Sequence, residues 1–175
     1  NKDFLDWNKI ISILEKQEPD HKPGEKTYYH AKTHGFLVGE IIKRTTKKTI
    51  GNLIDEHLFK KRNLNFFVGV NEKNIFNIAT LYQNKTENKK ITEFNAFNNP
   101  DHEIEFYNNK ICQLSEIPSM NGHGNAKSIA KIYDIVCQDL VFDKKNLLSK
   151  NIINKCLKES ISRTDQSLML PIRWS

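Results

Sequence analysis

Apolar residues recur at helical spacing along most of this chain, and this periodicity constrains the fold more than any other feature. The first apolar stripe predicts a helix over residues 3–18, which Pro19 and the polar residues after it end. The residues of this stripe are Phe4, Trp7, Ile10, Ile11 and Leu14. Similar patterns predict helices over residues 31–47, 125–140 and 145–158, and a further helix that Thr49 caps.

Few segments of the chain have the pattern of a strand. Residues 64–70 predict one short buried strand, and residues 168–174 are apolar and extended, with Pro171 unsuited to a helix interior. Residues 84–110 are polar and weakly patterned, which indicates a loop with short helical turns. The sequence therefore predicts a fold that is mostly α with short strands.

The second predicted helix carries two glycines four residues apart, Gly35 and Gly39. Because glycine lacks a Cβ, this spacing predicts a close contact between this helix and a neighbouring element. Its apolar pattern places Phe36, Leu37, Ile41 and Ile42 inside, and Glu40, Lys43 and Arg44 outside.

Composition excludes several classes of function. The 175 residues suit one domain, and no run of eighteen apolar residues could span a membrane. The net charge of +6 comes from lysine pairs scattered along the chain rather than from one basic patch, so we expect no nucleic-acid partner. The three cysteines are odd in number and widely spaced, which fits neither a disulfide framework nor a zinc knuckle and favours an intracellular, reducing compartment.

Three histidines near residue 30 raise the question of a metal site. His30 and His34 stand four residues apart, as two ligands on one helical turn would, and His21 is close. No Glu-x-x-His pattern accompanies them. We therefore expect no metal, and nothing in the sequence predicts another cofactor.

The spacing Ser128-x-x-Lys131 is that of the nucleophile and lysine of penicillin-recognising serine hydrolases. A lysine that acts as a base must lose its proton near neutral pH, which requires desolvation or neighbouring cations. The helical pattern places Lys131 on the polar face and Ser128 at its margin, so we expect two surface residues and no nucleophile. The predicted apolar stripe of this helix is Ala126, Ile129, Ala130, Tyr133, Val136, Cys137 and Leu140.

A glycine-rich turn over residues 118–124 leads into the same helix. Such a turn lets the backbone come close to a ligand or to another loop.

Residues 23–40, PGEKTYYHAKTHGFLVGE, resemble the β-lactamase-related serine hydrolases: class C β-lactamases, D-alanyl-D-alanine peptidases and related esterases. In that family a Pro-Gly turn leads to a tyrosine and then to a helix of the form T-x-G-x-L-x-G-E. The matching residues here are Pro23, Gly24, Tyr29, Thr33, Gly35, Leu37, Gly39 and Glu40. The turn at residues 121–124, the A-x-x-I-A-x-x-Y helix from Ala126 and the ending Leu170-Pro171-Ile172-Arg173-Trp174 follow in the family's order.

The resemblance implies that Tyr29 relays a proton to a Ser–Lys pair during acyl-enzyme chemistry on a small-molecule ester or amide. Tyr28 is the nearest rival for this role, and without the resemblance Tyr29 is equally a half-buried structural tyrosine. Ala31 stands where class C enzymes have Asn or Ser, which favours esterase-like chemistry. The resemblance also implies that Asn121, Gly122 and His123 bind substrate.

The family's order of motifs places its Ser-x-x-Lys before Asn1 and its third motif after Ser175. We therefore expect residues 1–175 to form a single incomplete domain, the helical portion of the α/β β-lactamase and penicillin-binding-protein fold. We expect the isolated chain to be inactive, as a fragment of a larger hydrolase. The alternative is a catalytically inactive binding or scaffold domain of the same fold, and the sequence leaves the oligomeric state open.

Overall fold

The structure is a computed structural model that describes residues 2–83, 103–142, 149–158 and 160–174. Its longer helices are α1, Trp7–Lys16; α2, His34–Thr46; α6, Ala126–Phe142; and α7, Lys150–Leu157. The shorter ones are α3, Ile50–Ile54; α4, Ile104–Asn108; and α5, Lys110–Leu114. The strands are β1, Phe66–Val68; β2, Gly122–Gly124; β3, Ile161–Asp165; and β4, Leu170–Trp174.

The prediction of a mostly α fold with short strands is confirmed. Short 3-10 helices at Lys2–Leu5 and Ile75–Asn77 and a π-helical segment at Asp55–Lys60 complete the helical elements of the described residues. Most of the loop predicted over residues 84–110 lies outside those residues, as does the start of the helix predicted over 145–158. No helix in the described ranges is both long and apolar enough to cross a membrane.

The predicted first helix is interrupted at Asp6, which ends the 3-10 turn and caps α1. Its carboxylate accepts a hydrogen bond from the Lys9 amide at 3.1 Å, so it satisfies a donor that the first turn of a helix leaves free. The apolar side of this segment then packs on α2, where Phe4 and Trp7 contact the Phe36 ring with centroids 5.4 and 5.1 Å away. The buried cluster around this contact comprises Phe4, Ile11, Phe36, Cys112 and Ile117.

The two glycines of α2 lie in tight contacts. A Cβ on Gly35 would lie 2.5 Å from the backbone nitrogen of Ser119, and a Cβ on Gly39 would lie 2.6 Å from the Trp7 ring. The glycine side of α2 therefore faces the core, and this turns Leu37 and Ile41 outward, where they are 40% and 63% exposed. The prediction that these two residues are inside was wrong.

Glu116 ties the start of α3 to the segment that precedes β2. The predicted Thr49 cap is confirmed, with a reciprocal capping box between Thr49 and Asn52. The Glu116 carboxylate accepts hydrogen bonds from the Thr49 hydroxyl at 2.6 Å and from the Gly51 amide at 3.0 Å. An anionic group at this position also complements the positive end of the helix.

Two antiparallel pairs of strands make up the sheet structure of the described residues. β1 pairs with β2, with Phe67 opposite His123, and β3 pairs with β4, with Arg163 opposite Ile172. β1 lies within the predicted strand over residues 64–70 and β4 within the predicted extended segment, whereas β2 and β3 were not predicted.

The orientation of α6 differs from the prediction. Ser128 is buried, at 4% exposure, while Ile129 and Tyr133 of the predicted apolar stripe are 42% and 68% exposed. The Ser128 hydroxyl accepts a hydrogen bond from the Asn65 amide at 2.9 Å, which satisfies a backbone donor beside β1. The expectation of a surface serine was therefore wrong: Ser128 lies on the inward face of the helix together with the partly buried Ile132, Ile135 and Val136. Lys131 is exposed and forms an ion pair with Asp134.

Candidate active site

The two candidate tyrosines lie in the loop between α1 and α2, and this loop contains a tight turn at Pro23–Gly24. The Glu25 amide donates to the Lys22 carbonyl at 3.1 Å, and Gly24 has a φ of +89°. Proline followed by a glycine of positive φ is the signature of a type II turn. The Pro-Gly pair is therefore needed for the shape of the loop that carries Tyr28 and Tyr29.

Tyr28 and Tyr29 have different partners. The Tyr28 ring stacks on His21, with centroids 5.3 Å apart, and its hydroxyl is hydrogen-bonded to His21 Nε2. The Tyr29 ring stacks on Trp174 of β4, with centroids 6.5 Å apart and planes 18° from parallel. The neighbouring rings are thus held by elements from different parts of the chain.

Tyr29 lines a cavity of about 540 Å³ at the start of α2. Ser119 contributes to the wall, and its hydroxyl accepts a hydrogen bond from the Gly35 amide at 2.7 Å. The remaining lining is mainly uncharged, and it includes Val38, Ile50 and Pro118 together with Trp174. Such a cavity, apolar with a few polar groups, is of the kind that holds a small organic molecule.

A second cavity of about 690 Å³ lies along the same loop and shares residues 28–31 with the first. Its wall is more highly charged and includes Lys22, Lys26 and the buried Lys32. The loop that carries Tyr29 is therefore bordered by an apolar cavity and by a polar one.

Asn121 lies directly before β2, and its side-chain amide is hydrogen-bonded to backbone groups. Its side-chain oxygen accepts from the Ile117 amide at 2.9 Å, and its side-chain nitrogen donates to the Cys112 carbonyl at 3.0 Å and to the Ser115 carbonyl. Both ends of this amide are thus occupied by backbone, and Asn121 does not contribute to the lining of the Tyr29 cavity.

Gly122 and His123 line a different cavity, of about 520 Å³, beside β1 and β2. Burial lowers the pKa of the His123 imidazole, whose Nε2 has no hydrogen-bond partner among the described residues. The flanking glycines make room for Phe66, because a Cβ on Gly122 or Gly124 would lie 3.2 or 2.7 Å from its ring. This cavity shares no lining residue with the Tyr29 cavity.

The histidines considered for a metal site do not form a cluster of metal ligands, and two of them contact other side chains. His30 Nδ1 lies 3.0 Å from the Thr33 hydroxyl, and His21 contacts Tyr28. In the part of the chain that the structure describes, no three His, Cys, Asp or Glu side chains are placed to hold a metal ion.

Sequence reasoning missed three residues that shape the Tyr29 site: Trp174, Ser119 and Arg163. Trp174 is half-buried against Tyr29, and Ser119 lies where Gly35 approaches the loop. Arg163 donates to two carbonyls of the Pro-Gly turn. The tight spacing of Gly35 and Gly39 was a signal for a close contact, but nothing in the sequence identifies the partner.

The chain is similar to one family model and to several solved structures. The Beta-lactamase family model matches residues 1–169 of the chain. A comparison with curated proteins finds no match.

Three solved structures share the fold. A family VIII carboxylesterase is 25% identical, with a TM-score of 0.85 over 99% of this chain and 47% of its own. A penicillin-binding protein homologue from Caulobacter crescentus is 23% identical, with a TM-score of 0.79 over 98% of this chain and 47% of its own. EstA from Arthrobacter nitroguajacolicus Rue61a is 19% identical, with a TM-score of 0.82 over 99% of this chain and 49% of its own. The chain thus spans about half the length of the solved structures it matches, and its fold is the helical portion of their α/β fold.

Proposed function

The chain belongs to the Beta-lactamase family, and on that premise we propose that it is the tyrosine-bearing part of a serine hydrolase that acts on small-molecule esters or amides. The reaction proceeds through an acyl-enzyme, with Tyr29 as the proton relay and with a Ser–Lys pair supplied from outside this chain. Tyr28 and Tyr29 both line the apolar cavity, and the observation that supports Tyr29 is that its ring stacks on Trp174 of the cavity wall, whereas the Tyr28 hydroxyl is bonded to His21.

Tyr29 has the chemistry that this role requires. A serine hydroxyl is a weak nucleophile until a base removes its proton, and a lysine ammonium near the phenol favours the phenolate. The Tyr29 oxygen accepts the serine proton as the serine attacks the acyl carbon, and it returns that proton to the departing alcohol or amine. Water then attacks the acyl-enzyme by the reverse path and regenerates the serine.

Two observations favour an ester over a β-lactam as substrate. Ala31 stands two residues after Tyr29, where class C β-lactamases have Asn or Ser. The similar structure with 25% identity is a carboxylesterase. Among the proposed small-molecule esters and amides these observations favour an ester, and neither a nucleic-acid partner nor a resident cofactor enters the proposed mechanism.

The alternative is a catalytically inactive binding domain of the same fold. It gains support because the Ser128-x-x-Lys131 spacing does not form a catalytic pair: the Ser128 hydroxyl is bonded to the Asn65 amide and Lys131 is paired with Asp134. The hydrolase function therefore depends on a serine from outside this chain, whereas the binding function does not.

Labelling with a fluorophosphonate, which phosphonylates activated serines, distinguishes the two functions. In the complete protein we expect one adduct, on a serine outside residues 1–175, together with hydrolysis of p-nitrophenyl acetate. The isolated 175-residue chain is expected to show neither. Absence of both adduct and turnover in the complete protein would favour the binding domain, and an adduct on Ser128 would contradict the proposed site.

A further inference from the structure

We propose that Arg163 is a positioning residue for Tyr29, which it holds through the Pro-Gly turn; this inference rests on the proposed role of Tyr29 as the proton relay. Arg163 lies on β3 and is not among the residues that line the Tyr29 cavity. Its effect on the reaction is therefore indirect, through the backbone of the loop between α1 and α2.

The guanidinium of Arg163 converges on two successive carbonyls of that loop. Nη1 donates to the Gly24 carbonyl at 3.0 Å and to the Glu25 carbonyl at 2.8 Å. The positive φ of Gly24 sets the direction of this backbone. Hydrogen bonds from a charged donor are stronger than those between neutral groups. Arg163 thus fixes the turn that the sequence Pro23–Gly24 forms.

The same hairpin holds the loop again, closer to the tyrosine. The Gln166 amide, in the turn between β3 and β4, donates to the Thr27 carbonyl at 2.8 Å. Trp174, at the end of β4, then stacks on the Tyr29 ring. The β3–β4 hairpin therefore contacts the loop at three successive places, of which the last is the proposed relay itself.

The hairpin is built to hold Arg163 in this orientation. Side chains alternate along β3, and the partly buried Arg163 shares a face with the fully buried Asp165. Asp165 Oδ1 accepts hydrogen bonds from the Ser167 and Leu168 amides, both at 2.9 Å, and thereby fixes the turn to β4. The charge of Arg163 on this inner face is accounted for by its hydrogen bonds to the Gly24 and Glu25 carbonyls.

Arg163→Met tests the proposal in the complete protein, because it keeps an unbranched side chain but removes both hydrogen bonds. We expect kcat to fall about ten- to hundredfold while KM changes less than threefold, since misplacing a catalytic group by about 1 Å has costs of this order. Arg163→Lys, whose ammonium keeps its donors, is expected to lose less. The matched control is Arg44→Met, which removes an exposed arginine paired with Glu15 and Glu40 on α1 and α2.

Two further measurements separate positioning from a general loss of stability. Hydrogen exchange of the amides in residues 24–31 is expected to become faster in Arg163→Met and to stay unchanged in Arg44→Met. In a Tyr29→Phe background, Arg163→Met is expected to cost less than twofold in kcat, because it acts through a hydroxyl that is already gone.

The outcomes distinguish this inference from the proposed function. Unchanged exchange in residues 24–31, or an undiminished loss of kcat in the Tyr29→Phe background, would overturn the role of Arg163 even if Tyr29→Phe alone is strongly impaired. If Tyr29→Phe alone costs nothing on a verified substrate, the relay itself fails. The inference then falls with it, even where hydrogen exchange shows that Arg163 holds the loop.

Discussion

Replacing Ser128 by alanine should weaken the fold while leaving the chemistry intact. The Ser128 hydroxyl is the acceptor for the Asn65 amide at 2.9 Å, in a position that is 4% exposed. Alanine fits the same space but leaves that amide without its acceptor. The Asn125 side chain, which accepts from the Ser128 amide at 2.8 Å, is unaffected by the change.

The size of the effect follows from the loss of one partly buried hydrogen bond, whose donor belongs to the exposed residue Asn65, and such a bond contributes about 0.5–1.5 kcal/mol. We expect Ser128→Ala to lower the free energy of unfolding of the complete protein by about this amount in urea titrations, with an unchanged m-value. Its kcat/KM on p-nitrophenyl acetate should stay within a few-fold of the unsubstituted protein. Ser162→Ala, at an exposed position of β3, is the control and should shift stability by no more than about 0.5 kcal/mol.

Two results would refute this reasoning in different ways. A loss of kcat/KM of about a thousandfold at unchanged stability would identify Ser128 as a nucleophile. Unchanged stability together with unchanged kinetics would show that the bond between Ser128 and Asn65 contributes nothing to the fold.

Three further predictions follow from other contacts. Gly35→Ala should destabilise the complete protein by about 1–3 kcal/mol and impair hydrolysis, because the added Cβ would lie 2.5 Å from the Ser119 backbone at the Tyr29 cavity. Thermal unfolding measures the loss of stability, and ester hydrolysis measures the loss of activity. Glu116→Gln should cost about 1–2 kcal/mol in a urea titration, because an amide nitrogen cannot accept the second of its two hydrogen bonds at α3. Iodoacetamide at pH 8 should modify the exposed Cys137 and spare Cys112, because burial raises the pKa of the Cys112 thiol to about 11. Mass spectrometry of the folded protein checks this, and modification of Cys112 as fast as Cys137 would contradict it.

Helical periodicity predicted the existence of the main helices but not always the face that each one buries. On α2 the side that carries the two glycines faces inward, because Ser119 and Trp7 approach the helix so closely there that a Cβ would not fit. The apolar residues Leu37 and Ile41 therefore face outward. On α6 a buried hydroxyl satisfies a backbone donor, which a count of apolar residues cannot detect. Asp6 divides the predicted first helix because its side chain caps a new one.

The hairpin of β3 and β4 could not be predicted in full from local sequence. β3 carries Arg163 and Asp165 on its inner face, so it lacks the apolar alternation by which a strand is recognised. Their partners are backbone groups, either of the hairpin turn or of a loop far away in sequence. Tyr29 was found through the resemblance of its motif to a family, whereas its contact with Trp174 required the fold.

The most direct test of the account compares Tyr29→Phe with Tyr28→Phe in the complete protein, on an ester that the unsubstituted protein hydrolyses. Phenylalanine keeps each ring and removes one oxygen, and the adjacent tyrosine provides the matched control. The account predicts that Tyr29→Phe lowers kcat about a hundred- to ten-thousandfold with little change in KM, while Tyr28→Phe stays near the unsubstituted value. A strong loss in Tyr28→Phe alone would move the relay by one residue. If neither variant loses tenfold in kcat, the central claim is wrong.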